Sequence, residues 1–185
     1  MLIDLNLIFC VDDSEHIAQG LMQAVFKAHY KAALTNQCAS SVACINAFAS
    51  SGNLSNGISS ALMTVGTLHA PIAEARKIYE TATQKDVRGA MLRGDIVPGF
   101  GNSFFRVGID PSWEGVARYI EANFPKMHGR IYDLTKWVQD SGKILYPNAA
   151  LYSAAAASEC RVKHGAEIAL FALARIPAWT ELCIP

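Results

Sequence analysis

The chain predicts an all-α fold. Apolar residues recur at helical spacing through most of its length, as in Ile17, Leu21, Ala24, Val25 and Ala28. Few stretches alternate with period two, and β-branched runs are scarce. The periodic segments are separated by short clusters of Gly, Pro, Asn and Ser. About eight or nine helices follow from these signals.

Residues 2–11 form an extended lead-in, and Ser14 with Glu15 starts the first helix, which Thr35-Asn36-Gln37 breaks. A second helix covers Ser40 to Ala49 and is ended by Ser50-Ser51-Gly52. Asn53 to Gly57 is a connection, and Ile58 to Val65 is a third helix, rich in small residues. After the break Gly66-Thr67-Leu68-His69, Pro71 suits the first turn of a helix to about Thr83. A short helix, Val87 to Leu92, precedes the sharpest break in the chain, Val97-Pro98-Gly99-Phe100-Gly101-Asn102. Pro111 and Glu114 open a helix to about Asn123, and Pro125 separates it from one at Gly129 to Asp140. Pro147-Asn148 opens a helix through Glu159, whose alanines 154–157 suit close packing on a neighbour. The last helix, Ala166 to Ala174, is ended by Arg175-Ile176-Pro177.

The 185 residues are enough for one domain, 1–185, with a sizeable core. Apolar residues make up 51% and charged residues 17%, which points to surface buried between subunits. A net charge of +0 and the absence of a basic run argue against nucleic acid and membrane as partners. No apolar run is long enough to span a bilayer, and Leu5 to Val11 lacks a basic flank, so it is not read as a signal peptide. Cysteines at 10, 38, 44, 160 and 183 form no CxxC pair. They fit reduced thiols of a cytoplasmic protein and are most simply small hydrophobes. Asp12, Asp13, Glu15 and His16 are residue types that suit a divalent ion, but a solvated helix start explains them, and no metal is expected. Trp113, Trp137 and Trp179 suit a core or an interface, whereas His128 and His164 have no partner visible in sequence.

Three segments lie at helix starts: Gly66-Thr67-Leu68-His69-Ala70-Pro71, Pro98-Gly99-Phe100-Gly101-Asn102, and Tyr146-Pro147-Asn148-Ala149-Ala150. Helix N-termini expose unpaired N–H groups that favour anionic or carbonyl oxygens, so three of them converging would make an oxyanion site.

In order and spacing, these segments resemble the motifs of the citrate synthase and citryl-CoA lyase superfamily. That family has G-x-x-H-G-G-A at the first, P-G-F-G-H followed by D-P-R at the second, and P-N-V-D at the third. Ser40 through Gly52 is similar to its S-T-x-x-A-R-x-x-A-S-T-G helix, and Phe171 to Trp179 to its R-x-x-G-W ending. The resemblance covers about 38–180. It implies an all-α homodimer, shorter than ordinary members, with a reduced small domain. Helices 40–49 and 58–65 are the expected intersubunit face. It further implies a Claisen-type condensation or its reverse on a coenzyme A thioester and a carboxylate substrate, with no permanently bound cofactor.

Carried onto this chain, His69 matches the histidine that stabilises the enol oxygen. Asn102 stands where a second histidine polarises a carbonyl, and Ala150 where an aspartate serves as base. Ser112 replaces the arginine of D-P-R, and Ala70-Pro71 the glycines after the first histidine. Arg175 matches an arginine that contacts a substrate carboxylate. With Asn148 and Arg106 it makes up the expected substrate-binding set, and Pro98, Gly99, Phe100 and Gly101 the expected coenzyme-binding loop. Val11-Asp12-Asp13 is the counterpart of an A-D-H motif, without its histidine. Alanine cannot accept a proton, asparagine can donate a hydrogen bond but not transfer a proton, and serine cannot make arginine's bidentate carboxylate contact.

Simpler roles stand beside these. Asn102, Asp110 and Asn148 are good helix caps, His69 fits a cap or a core position, and Arg175 suits a helix C-terminus. Two functions therefore remain open: a divergent enzyme acting on a CoA thioester, with another group as base, or an inactive dimer with a binding, regulatory or structural role. An unrelated helical interaction protein is a third.

Overall fold

A computed structural model describes residues 16–35, 38–66 and 69–184. Among them are nine α-helices and no strand. They are α1 (His16–Thr35), α2 (Ala39–Ser51), α3 (Leu54–Met63), α4 (Ile72–Thr81), α5 (Gln84–Arg93), α6 (Glu114–Asn123), α7 (Pro125–Gln139), α8 (Ala149–Glu159) and α9 (Glu167–Cys183). A 3-10 turn, Pro111–Trp113, leads into α6. The expected lead-in at 2–11, the start signal at Ser14-Glu15, the acidic residues Asp12 and Asp13, and the break Asn36-Gln37 lie outside the described residues. No described helix is long and apolar enough to cross a membrane.

The central element is α8. Every residue from Ala150 to Ala157 is buried, as expected of a helix apolar on all sides. One side of it joins a core cluster with Leu21, Val25, Trp113, Ile120 and Leu134, and the other joins a cluster with Ile72, Phe171 and Trp179. Alanines 154–157 let its neighbours approach closely, with α4 and α1 among them. The helix α1 buries Ala18, Leu21, Met22, Val25, Ala28, His29 and Ala32, a stripe at helical spacing, against α6, α8 and α9.

Several boundaries differ from the sequence expectation. Leu54 to Gly57 are helical rather than part of a connection, because the side chain of the extended N-cap residue Asn53 accepts from the Ser55 N–H and starts α3 early. Between α4 and α5, Thr83 and Asp86 form a reciprocal capping box, which starts α5 at Gln84 instead of Val87. Pro125 occupies the first turn of α7 and so begins that helix instead of separating it.

The largest difference is at the end of the chain, where α9 continues through Pro177 to Cys183. A helix-interior proline costs about 3 kcal/mol. Beyond it, Ala178, Trp179 and Cys183 are buried against α2 and α3, and burying a tryptophan and its neighbours offsets that amount.

The small residues of α2 and α3 serve an internal contact. Ser40, Ser41, Cys44, Gly57 and Ala61 are buried within the chain, and a Cβ on Gly57 would stand 3.0 Å from the Cys44 carbonyl oxygen. Of the tryptophans, Trp113 and Trp179 are in the core, and Trp137 packs at its edge under the Arg130 guanidinium. His164 has partners that sequence did not reveal, with Glu80 at 3.7 Å and Glu167 at 3.8 Å.

Candidate functional site

The glycine loop is shaped by pairing with the segment that opens α8. Phe100 and Pro147 form an antiparallel bridge. The Gly101 N–H donates to the Tyr146 carbonyl at 2.9 Å, and the Asn148 N–H to the Gly99 carbonyl at 2.9 Å. The Asn148 side chain completes the junction: Oδ1 accepts from the Ala150 N–H, and Nδ2 donates to the Gly101 carbonyl at 2.8 Å. Gly99 has a φ of +94°, and a Cβ there would lie 2.9 Å from the Leu151 Cβ. Only glycine brings the loop this close to α8.

The next side chain, Asn102, forms a turn of its own. Its Oδ1 accepts from the Phe104 and Phe105 N–H groups at 2.9 and 3.4 Å. This pins the amide so that its NH₂ remains as a donor. Asp110 caps the 3-10 turn, its Oδ1 accepting from the Ser112 N–H at 2.8 Å, and is itself buried.

The Gly66 N–H donates to the His69 carbonyl at 2.8 Å. Ala70 then takes a φ of +62°, a left-handed conformation that costs an alanine roughly 1 kcal/mol. The strain sits one residue from the imidazole. The His69 Nε2 is 3.1 Å from the Ser40 Oγ on α2, and its ring meets Phe171 edge-on. Burial first, and the Arg175 guanidinium second, hold His69 below its ordinary pKa, so the imidazole is neutral at pH 7.

These elements enclose one cavity of about 450 Å³. Of the residues singled out in sequence, His69, Gly101, Asn102, Asn148 and Arg175 line it, together with Ala150. Asn148 reaches it with both ends of its side chain already bonded. Pro98, Gly99 and Phe100 do not line it. Phe100 is buried in the core and Gly99 lies against Leu151, so these residues shape the loop from behind. Arg106 is exposed and borders a neighbouring cavity with Phe105, Ile144 and Tyr146. Gly101 and Asn102 are shared by the two cavities.

Among the other residues lining this cavity, His29, Cys38 and Asp110 carry titratable groups that sequence reasoning did not assign to it. His29 is 0% exposed. Its Nε2 is 2.8 Å from the Ser153 Oγ, and its ring stands edge-on to Trp113 and Phe171. Burial first, then the Arg175 charge, hold its pKa well below the ordinary value. Cys38 is the N-cap residue of α2, with its Sγ 2.9 Å from the Arg175 Nη1 and 3.3 Å from both the Ser40 and Ser41 hydroxyls. Burial alone pushes the thiol pKa up, but the guanidinium and the two hydroxyls outweigh it and hold the thiol below its usual range. Arg175 itself is only 5% exposed and lies over the Phe171 ring, 4.2 Å from its centroid. Among the described residues, no group of three or more His, Cys, Asp or Glu is arranged to hold a metal.

No protein-family model matches the chain, and no curated protein does. Solved structures match along almost its whole length. The chain superposes on a citryl-CoA lyase from Hydrogenobacter thermophilus with a TM-score of 0.78 at 17% identity, covering 97% of this chain and 73% of the lyase. For a citrate synthase from Thermotoga maritima the TM-score is 0.73 at 23% identity, covering 94% of this chain and 49% of that one. A citrate synthase from Thermoplasma acidophilum, in ternary complex with carboxymethyl coenzyme A and oxaloacetate, gives 0.68 at 22% identity, covering 91% and 48%. The fold is therefore all-α and citrate synthase-like, and the chain spans about half the length of those two synthases.

Proposed function

We propose that the cavity binds a coenzyme A thioester and forms or cleaves a carbon–carbon bond next to its carbonyl, with a carboxylate-bearing second substrate. The observation that carries this reading is the convergence of His69, Asn102, Asp110 and Arg175 on one cavity from four separate segments. Neutral His69 donates a hydrogen bond to the enolate oxygen, and the Asn102 amide donates to the partner carbonyl. Arg175, desolvated against Phe171, attracts a carboxylate. The expected base position is the methyl of Ala150, and Asp110 is the carboxylate in the same cavity that can take the α-proton.

On this reading the protein works as a cytoplasmic homodimer, takes the thioester as substrate and keeps no permanent cofactor. The structural neighbours, a citryl-CoA lyase and two citrate synthases, support the substrate class. Exposed apolar side chains on α2 and α3, Val42, Ile45, Leu62 and Met63, support an intersubunit face on those helices. Sedimentation should give a dimer.

Melting temperature with acetyl-CoA and with citrate tests binding, and a free-thiol assay for coenzyme A released from acetyl-CoA in the presence of a 2-oxo dicarboxylate such as oxaloacetate tests turnover. A rise in melting temperature with turnover supports it, and no rise with either compound defeats it. Ala150 favours a second reading, a non-catalytic binding dimer. That reading predicts the rise in melting temperature with no turnover.

A further inference from the structure

Cys38, Ser40 and His69 form a chain of close contacts at the cavity wall. The Cys38 Sγ is 3.3 Å from the Ser40 Oγ, which is 3.1 Å from the His69 Nε2. On its other side the thiol meets the Arg175 Nη1 at 2.9 Å. Cys38 also stands at the N-terminus of the 13-residue helix α2, where the helix dipole favours a negative charge. Arg175 and His29, both lining the cavity and both more than nine-tenths buried, leave Arg175 Nε and His29 Nδ1 without a hydrogen-bond partner among the described residues. Both are buried polar atoms of cavity-lining residues that the chain itself leaves unpaired, and such atoms call for a partner in a ligand or an ordered water.

We infer that Cys38 is a nucleophile that accepts the acyl group of a thioester bound in this cavity. The inference rests on the thioester reading above and adds a covalent step to it. The Cys38 thiol passes its proton through the Ser40 hydroxyl to His69 Nε2, the imidazole carrying its own hydrogen on Nδ1. The Cys38 sulfur attacks the thioester carbonyl. A new sulfur–carbon bond forms, the bond from that carbon to the coenzyme sulfur breaks, and the coenzyme leaves as a thiolate that takes the proton from His69. One thioester replaces another, with no change in oxidation state and no further reactant. The arrangement matches that of activated cysteines generally: a cation, a helix N-terminus and a base within reach through one hydroxyl. Arg175 acts on the thiol as a positioning and charge-stabilising residue.

The test is intact-mass spectrometry of the protein quenched in acid after incubation with acetyl-CoA. The expected result is one acetyl adduct, released by hydroxylamine, mapped to Cys38 and absent from Cys38→Ser. A second measurement needs no variant. Iodoacetamide should alkylate Cys38 of the native protein about tenfold faster at pH 7 than it alkylates the unfolded chain's thiols, and acetyl-CoA should slow it. In Arg175→Gln the alkylation profile should move to higher pH. A rise in melting temperature with acetyl-CoA but no adduct, and alkylation no faster than in the unfolded chain, overturns the nucleophile and leaves the thioester reading standing. No adduct and no rise in melting temperature overturns both.

Discussion

The Asn148 Nδ2 donates to the Gly101 carbonyl at 2.8 Å while its Oδ1 caps the first turn of α8. One side chain thus ties the glycine loop to the central helix, and the cavity inherits its shape from that tie. Asn148→Ala removes a cap and leaves the Gly101 carbonyl without its side-chain donor, a loss of about 2 kcal/mol. Asn148→Asp keeps the acceptor that caps α8 but turns a carboxylate oxygen toward the Gly101 carbonyl, so it should recover little of that loss. Urea unfolding of the two variants measures both.

Backbone conformation gives a second pair of variants with opposite signs. Gly99→Ala would drive a Cβ into Leu151 at a φ of +94°, and should cost more than about 2 kcal/mol. Ala70→Gly relieves a left-handed alanine and should stabilise by up to about 1 kcal/mol. Thermal melts distinguish the two, and a stabilising Gly99→Ala would refute the close approach.

Stability should fall with acid through His29. Its folded pKa lies well below its unfolded value of about 6.5, so under that pH the unfolded chain binds a proton that the folded chain refuses. The contribution is intact above about pH 6.5 and declines by about 1.4 kcal/mol per pH unit below it, until the folded pKa is reached. His69, shifted in the same direction, adds to the slope. His29→Gln, measured by urea unfolding between pH 7 and 5, should remove about one proton from the dependence.

Arg76 holds a buried carboxylate. Its guanidinium meets Glu167 at 2.6 Å, the Val162 carbonyl at 2.7 Å and Glu80 at 2.7 Å, and Glu167 is 2% exposed. Burial alone would raise the Glu167 pKa, but backbone N–H groups, among them that of Gly165, and Arg76 bring it below the ordinary value. Its contribution to stability is therefore present above the unfolded carboxylate pKa and lost as pH falls through the lower folded one. Arg76→Met should cost about 3–5 kcal/mol at pH 7, because it strands a buried charge, and less at acid pH where Glu167 is protonated.

The helices and the loop were legible in sequence because helical spacing and Pro-Gly punctuation are local signals. His69, Asn102 and Arg175 could be placed at one site because each sits in a motif with recognisable neighbours. Cys38 carried no such signal: alone it reads as a small hydrophobe, and the guanidinium that alters it is 137 residues away. His29 was missed for the same reason, its partner Ser153 being 124 residues distant. The Thr83–Asp86 capping box, by contrast, was present in the local sequence and would have set the start of α5. Pro177 misled because its cost is local while the burial of Trp179 that outweighs it is tertiary.

Proton exchange at the acetyl methyl of acetyl-CoA in deuterated water, followed by NMR, isolates enolisation from every later step. The native protein should catalyse deuterium incorporation, with the rate falling about 10²-fold or more in His69→Ala and in Asp110→Asn. Incorporation no faster than in buffer, by protein that binds acetyl-CoA, would show that the cavity holds a thioester without enolising it.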